Sequence, residues 1–204
     1  MAKLAVIYYS ATGHTYRVAQ AVEEGAREAG AETRLRRVAE PASEALIAAN
    51  PAWQAHVAEA AGVQVAALDD LEWADGYAFG SPTRYGVMAG ALKQFFDGTG
   101  ALWGKGVMAN KPVAAFTGAA NPHGGQETTL HTIYNVMYHW GAVIVPPGYT
   151  DRAVYAAGGN PYGVSYQGAR ADVEISAEVI QAARYLGGRL ARFAAVLAPE
   201  RARL

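Results

Sequence analysis

Blocks of apolar residues with two distinct periods organise this chain. Residues 4–10, "LAVIYYS", are apolar or aromatic almost without a break until Ser10, which is the pattern of a parallel strand covered on both faces. Residues 14–29 then place Val18, Val22, Ala26 and Ala29 at steps of four and three, so they form one helical face. Residues 32–38, "ETRLRRV", alternate, which predicts a half-exposed strand whose Arg34, Arg36 and Arg37 guard a sheet edge against pairing. Residues 40–66 are Ala-rich with Pro41 and Pro51 and read as an insertion with some helix.

The alternation of elements then resumes. A buried strand is expected over 75–82, a glycine-terminated helix over 89–100, and a strand over 111–118 that breaks into a small-residue loop. Helical spacing returns over 124–139, and residues 142–149 read as a further buried strand stopped by two prolines. The Gly- and Tyr-rich stretch 150–172 is expected to be a long loop. Val179, Ala183, Leu186, Leu190, Phe193 and Leu197 then mark an amphipathic helix. Strands and helices alternating in this way predict one α/β domain over 1–204 with a mainly parallel sheet.

Composition narrows the functional classes. The 204 residues include 51 % apolar and 17 % charged side chains, ordinary for a globular chain, and the net charge of −1 gives no pull toward nucleic acid or anionic membrane. The absence of cysteine excludes disulfides and thiolate metal sites. The five histidines, His14, His56, His123, His131 and His139, lack the spacing of a zinc helix, so no metal site is expected. Residues 1–14 are unlike a signal peptide and no window approaches a membrane span, so a cytoplasmic protein is expected.

In a parallel sheet all strands end on one edge, and ligands collect there. Three turns should therefore converge: Ser10–Thr15, Ser81–Gly86 and Thr117–Gln126. The first, "SATGHT", supplies the hydroxyls of Ser10, Thr12 and Thr15 beside Gly13, just where a helix begins. Short hydroxyls and helix-start amides can surround a phosphate without a full positive charge. Helix capping would explain one such residue, but three within six residues favour a phosphate cradle. The segment has neither the G-K-[ST] ending of a P-loop nor G-x-G-x-x-G, so neither nucleotide hydrolysis nor a Rossmann site is indicated. In the second turn Tyr85 follows rigid Pro82 and can lie against a flat ring, with Thr83 and Arg84 as donors to its polar edge. The third, "TGAANPHGGQE", is small enough for backbone groups to meet a ligand edge-on.

The motifs "YYSATGHT", "FGSPTRYGVMAGALKQFFDGTGALW", "GGQETTLHT" and "HWGAVIVPPGYTD" together resemble the WrbA family of flavodoxin-like, FMN-dependent NAD(P)H:quinone oxidoreductases. The resemblance spans almost the whole chain and is weakest between residues 40 and 70. It implies a doubly wound, five-stranded parallel sheet of order 2-1-3-4-5 with helices on both faces, the arrangement for which flavodoxin is a standard example of FMN binding. It also implies that Ser10, Ala11, Thr12, Gly13, His14 and Thr15 hold the FMN phosphate. Pro82, Thr83, Arg84 and Tyr85 would flank the isoalloxazine, as would Thr117, Gly118, Ala119, Ala120 and Asn121. His139 would stand beside the flavin as the catalytic side chain, and Trp103 and Tyr85 would wall the substrate slot. The implied reaction is ping-pong: NADH or NADPH reduces the flavin, and a quinone then takes both electrons. The family's homotetramer would let a neighbour complete the site. Two rivals remain at this point, a one-electron flavodoxin carrier and a non-enzymatic regulator-binding protein. The near-neutral charge argues against the first, and the phosphate cradle is unexplained by the second.

Overall fold

The computed structural model describes residues 1–168 and 174–203. Strand β1 (Lys3–Tyr8) runs through the middle of the molecule, and its alternating side chains divide the core in two. Leu4, Val6 and Tyr8 face one layer and Ala5 and Ile7 the other, all at most 1 % exposed. That is why the segment reads as unbroken apolar sequence: neither face meets water. Strand β2 (Glu32–Arg37) pairs with one side of β1 and β3 (Gly76–Arg84) with the other, both parallel. Next to β3 lies β5 (Pro112–Ala119), again parallel.

The fifth position is shared. β6 is only Val143–Ile144 and pairs with the start of β5, whereas β7 (Val164–Gln167) pairs with its end. The expected order 2-1-3-4-5 is therefore present, with the last strand interrupted by residues 145–163. Two expectations are corrected here. The strand over 142–149 contracts to two residues, because the prolines at 146 and 147 cannot donate to a ladder. The loop expected over 150–172 contains helix α8 (Arg152–Ala156) and β7, while 169–173 lie outside the described residues.

Helix α1 (His14–Glu28) and the long α9 (Ala177–Leu197) cover one face of the sheet. They touch backbone to backbone: a Cβ on Gly25 would lie 1.9 Å from the Arg184 carbonyl oxygen, and one on Gly187 1.9 Å from that of Val22. The other face carries α4 (Leu68–Trp73), α5 (Gly90–Asp97), α6 (Gly100–Gly104) and α7 (Gln126–Trp140). The insertion holds α2 (Glu44–Ala48) and α3 (Pro51–Glu59), each started by a side-chain cap, Ser43 and Asn50. It returns to the sheet beside β2, where Ala66 N donates to Arg37 O at 2.8 Å. The β2 arginines do more than guard an edge. Arg34 and Arg36 both bind the buried Asp70 carboxylate, at 3.0 and 3.1 Å, and Arg34 also lies over the Trp73 ring. No helix among the described residues is long and apolar enough to cross a membrane.

Candidate cofactor and substrate site

A cleft of about 490 Å³ opens at the carboxyl edge of the sheet, within the size range of small-molecule sites. The end of β1 and the start of α1 form its floor. Chain reversal there is made by Gly13, whose φ of 96° is open to glycine and strained for other residues. Because glycine holds the N-cap position, the cap residue has no side chain to offer the first amides of α1. The positive end of the helix dipole therefore favours an anion at this turn.

The three hydroxyls are already oriented. Ser10 Oγ accepts from Gly13 N at 3.1 Å, which leaves its own hydrogen to donate. Thr12 Oγ1 meets His14 Nδ1 at 3.3 Å, and Thr15 Oγ1 meets the Tyr166 hydroxyl at 2.8 Å. Tyr166 comes from β7, and its ring stacks on His14 with centroids 5.9 Å apart. Burial pushes its phenol up to about 12, so it stays a neutral donor at physiological pH. The ring lies flat against Gly118, where a Cβ would fall 2.0 Å from Tyr166 Cζ.

The second wall differs from the turn expected over 81–86. β3 continues to Arg84 and folds back on β4 (Val87–Met88), pairing Thr83 with Met88 and Arg84 with Val87. The two residues between, Tyr85 and Gly86, both have positive φ, 55° and 81°, as a primed two-residue hairpin requires. Tyr85 therefore stands fully exposed at the tip, in a conformation that costs a non-glycine residue about 1–2 kcal/mol. Thr83 Oγ1 fixes this hairpin by accepting from Gly86 N at 3.2 Å and from Thr129 Oγ1 at 2.7 Å. The third wall, residues 118–124, is shaped by Gln126, whose Nε2 donates to Asn121 O at 2.7 Å and whose Oε1 accepts from Gly124 N at 3.0 Å.

Most of the expected residues meet in this cleft: Ser10, Ala11, Thr12, His14, Thr15, Pro82, Thr83, Arg84, Tyr85, Gly118, Ala119, Ala120 and Asn121. Four do not. Gly13 shapes the turn but turns its back to the cleft, against His56 of α3. Thr117 is fully buried and donates to Ser81 O at 2.7 Å, tying β5 to β3. Trp103 and His139 lie together at the opposite, amino end of the sheet, where Trp103 Nε1 donates to the His139 carbonyl oxygen at 2.8 Å. The physical reason is direction: α7 starts at the cleft and runs away from it for 15 residues, roughly 22 Å at 1.5 Å per residue. Conversely, Tyr166 and Gly168 line the cleft unannounced. For Tyr166 a signal existed, the alternation of Val164 and Tyr166 around Ser165, hidden in a stretch dominated by glycine.

The cleft suits FMN on its donor chemistry. A helix start led by glycine and a set of uncharged hydroxyls match a phosphate, Tyr85 offers a ring face, and the loop backbone of 118–121 offers polar groups for an edge. Among the described residues that line it, Arg84 is the one arginine or lysine.

The family model of NADPH-dependent FMN reductase matches residues 2–153. An NAD(P)H dehydrogenase (quinone) of Deinococcus radiodurans is 48 % identical over 163 residues, covering 80 % of this chain and 82 % of that protein. One from Sinorhizobium fredii is 41 % identical, with 97 % of this chain and all of the relative covered. Among solved structures, a flavodoxin, WrbA-like protein from Agrobacterium tumefaciens superposes with a TM-score of 0.69 at 25 % identity, over 97 % of this chain and 99 % of that one. An archaeal flavodoxin, 18 % identical with a TM-score of 0.61 over 95 % and 99 % of the two chains, shares the fold.

Proposed function

Since the chain belongs to the NADPH-dependent FMN reductase family, we propose that it reduces quinones with NADH or NADPH through FMN held in the carboxyl-edge cleft. The observation that carries this reading is the glycine-led start of α1, ringed by Ser10, Thr12 and Thr15, at the floor of that cleft. Bound there, FMN would supply the two-electron redox chemistry. The protein supplies position. Ser10, Thr12, Thr15 and the α1 amides hold the phosphate, with Tyr166 locking Thr15 in place. Thr83, Arg84, Tyr85 and residues 118–121 hold the ring system, and the exposed Tyr85 walls a flat slot that suits a nicotinamide and a quinone in turn.

Two finer elements complete the reading. The protein is of the WrbA type and works as a homotetramer in the cytoplasm, where a neighbouring copy brings His139 and Trp103 to the slot. Trp103 and Tyr138, 57 % and 61 % exposed, give such a neighbour an apolar patch to cover. Light scattering on the eluting protein tests the assembly, and a monomer at micromolar concentration would remove it.

The cleft is tested by Thr12→Val combined with Thr15→Val. Each lost donor to a charged phosphate should weaken FMN by about 1–3 kcal/mol, read by flavin fluorescence. Unchanged affinity would mean that the phosphate sits elsewhere. The activity is tested by anaerobic mixing of the FMN-loaded protein with NADH or NADPH, which should bleach the flavin absorbance, followed by benzoquinone, which should restore it. A one-electron carrier would stay oxidised on the first addition.

A further inference from the structure

A second cavity, of about 390 Å³, lies on the far side of the loop that forms the third wall of the cleft. Asn121 of that loop lines the cleft and Pro122 lines the cavity, while Tyr166 lines both. Its other walls are the start of α7 and the segment inserted into the fifth strand. Two tyrosines there keep much of their ring surface in water, Tyr149 at 54 % and Tyr162 at 42 % exposure, and Tyr149 stacks on Tyr155 at 5.1 Å. Among the described residues that line the cavity, Glu127 is the acidic side chain, and none is a lysine or arginine.

We infer that this cavity takes the adenosine half of the reductant and that it favours NADH over NADPH. The inference rests on the proposed activity, because it assumes that a nicotinamide enters the cleft. Given that, the adenosine must lodge in a space adjoining the cleft, tethered by a pyrophosphate. Two further cavities fail this condition. One behind the phosphate turn also adjoins the cleft, through Ser10, but at about 40 Å³ it cannot hold a purine. Another of about 390 Å³ lies along β2 and shares no lining residue with the cleft.

The chemistry of the cavity sets the preference. Exposed tyrosine rings provide faces on which a purine stacks. A carboxylate accepts hydrogen bonds from the 2′- and 3′-hydroxyls of an unmodified ribose, the device by which acidic side chains select NAD in dinucleotide-binding folds. The same carboxylate repels a 2′-phosphate, and no lysine or arginine among the described lining residues offsets that repulsion.

The test uses FMN-loaded protein, so that the cleft is filled, titrated calorimetrically with adenosine 5′-monophosphate and with adenosine 2′,5′-bisphosphate. The monophosphate should bind, and the bisphosphate should bind at least about tenfold more weakly because of like-charge repulsion. Glu127→Gln should shrink that gap to about twofold and leave FMN affinity unchanged. Tyr149→Ala should weaken both probes alike. In turnover the variant should lose NADH preference through KM, with kcat held. Equal binding of the two probes, no binding of either, or a gap indifferent to Glu127→Gln would overturn the inference. Its failure is distinguishable from failure of the activity: if NADH and NADPH both bleach the flavin but the probes do not discriminate, only the adenosine assignment falls.

Discussion

The two ends of this sheet are built from opposite materials. At the carboxyl end the strands finish in small or hydroxylated residues, Ser10, Ser81 and Gly118, and the chain reverses through positive-φ positions at Gly13, Tyr85 and Gly86. At the amino end Tyr77, Phe79, Phe96 and Trp140 interlock edge to face, with Phe79 and Phe96 centroids 4.9 Å apart. One end is left open and donor-rich, with strain held at Tyr85; the other is filled. The difference shows where the fold places its stability and where it gives some up for binding, as functional sites commonly do.

The sharpest way to break that contrast is to add one methyl group at the open end. In Gly118→Ala the new Cβ would fall 2.0 Å from the Tyr166 ring, which must leave its place between His14 and the strand and release Thr15. Overpacking of this kind costs about 1–3 kcal/mol. Most of it should appear as weaker FMN binding, roughly 10- to 100-fold, because the displaced ring lines the cleft. Flavin fluorescence reads the effect, and an unchanged dissociation constant would show that Tyr166 is not part of the wall.

The same contrast explains what could be read from the chain. Strands buried on both faces announce themselves, so β1, β3 and β5 stand out as apolar runs, and the hydroxyl cluster at 10–15 signals the floor of the cleft. Tyr166 was hidden because four-residue β7 is framed by glycines that read as loop, and its partner strand β5 lies some fifty residues away. The insertion at 40–66 resisted for a different reason. Its helices are short and capped locally, and their purpose, placing His56 behind Gly13, exists only in three dimensions. His139 was drawn to the site by a motif resemblance that says nothing about which end of α7 faces the cleft.

A smaller effect should come from the filled end. Lys111 is 1 % exposed, donates to Leu71 O at 2.7 Å, and lies 5.1 Å from the Tyr77 ring centroid. Burial, aided by Arg201, lowers its ammonium to about 8. The unfolded chain therefore binds more protons than the native one between about pH 8 and the ordinary lysine value near 10.4. Native stability rises with pH across that window, and the full penalty of the buried charge is felt below it. In Lys111→Met this slope should vanish, while FMN affinity stays unchanged because the cleft is at the other end. Urea midpoints at about pH 7.5 and 9 check it, where tyrosines of the unfolded chain are at most about a tenth ionised. A slope retained in the variant would assign it to another group.

The smallest effect expected is the most instructive. His139 is exposed, at the end of α7 remote from the cleft, and its carbonyl oxygen, not its ring, receives the Trp103 indole N–H. Roughly 22 Å of helix separates it from the cleft, well beyond a Debye length of about 8 Å in physiological salt. Within one chain, then, His139→Ala should change FMN affinity by less than about twofold, since neither contact nor field reaches the phosphate. Turnover is the discriminating measurement. In dilute protein, where copies are separated, the variant and the parent should match. A deficit that appears only as protein concentration rises would mean that the imidazole acts on the slot of a neighbouring copy. A deficit independent of concentration would contradict the separation of the two ends, because a side chain so distant in its own chain would then be governing the open one.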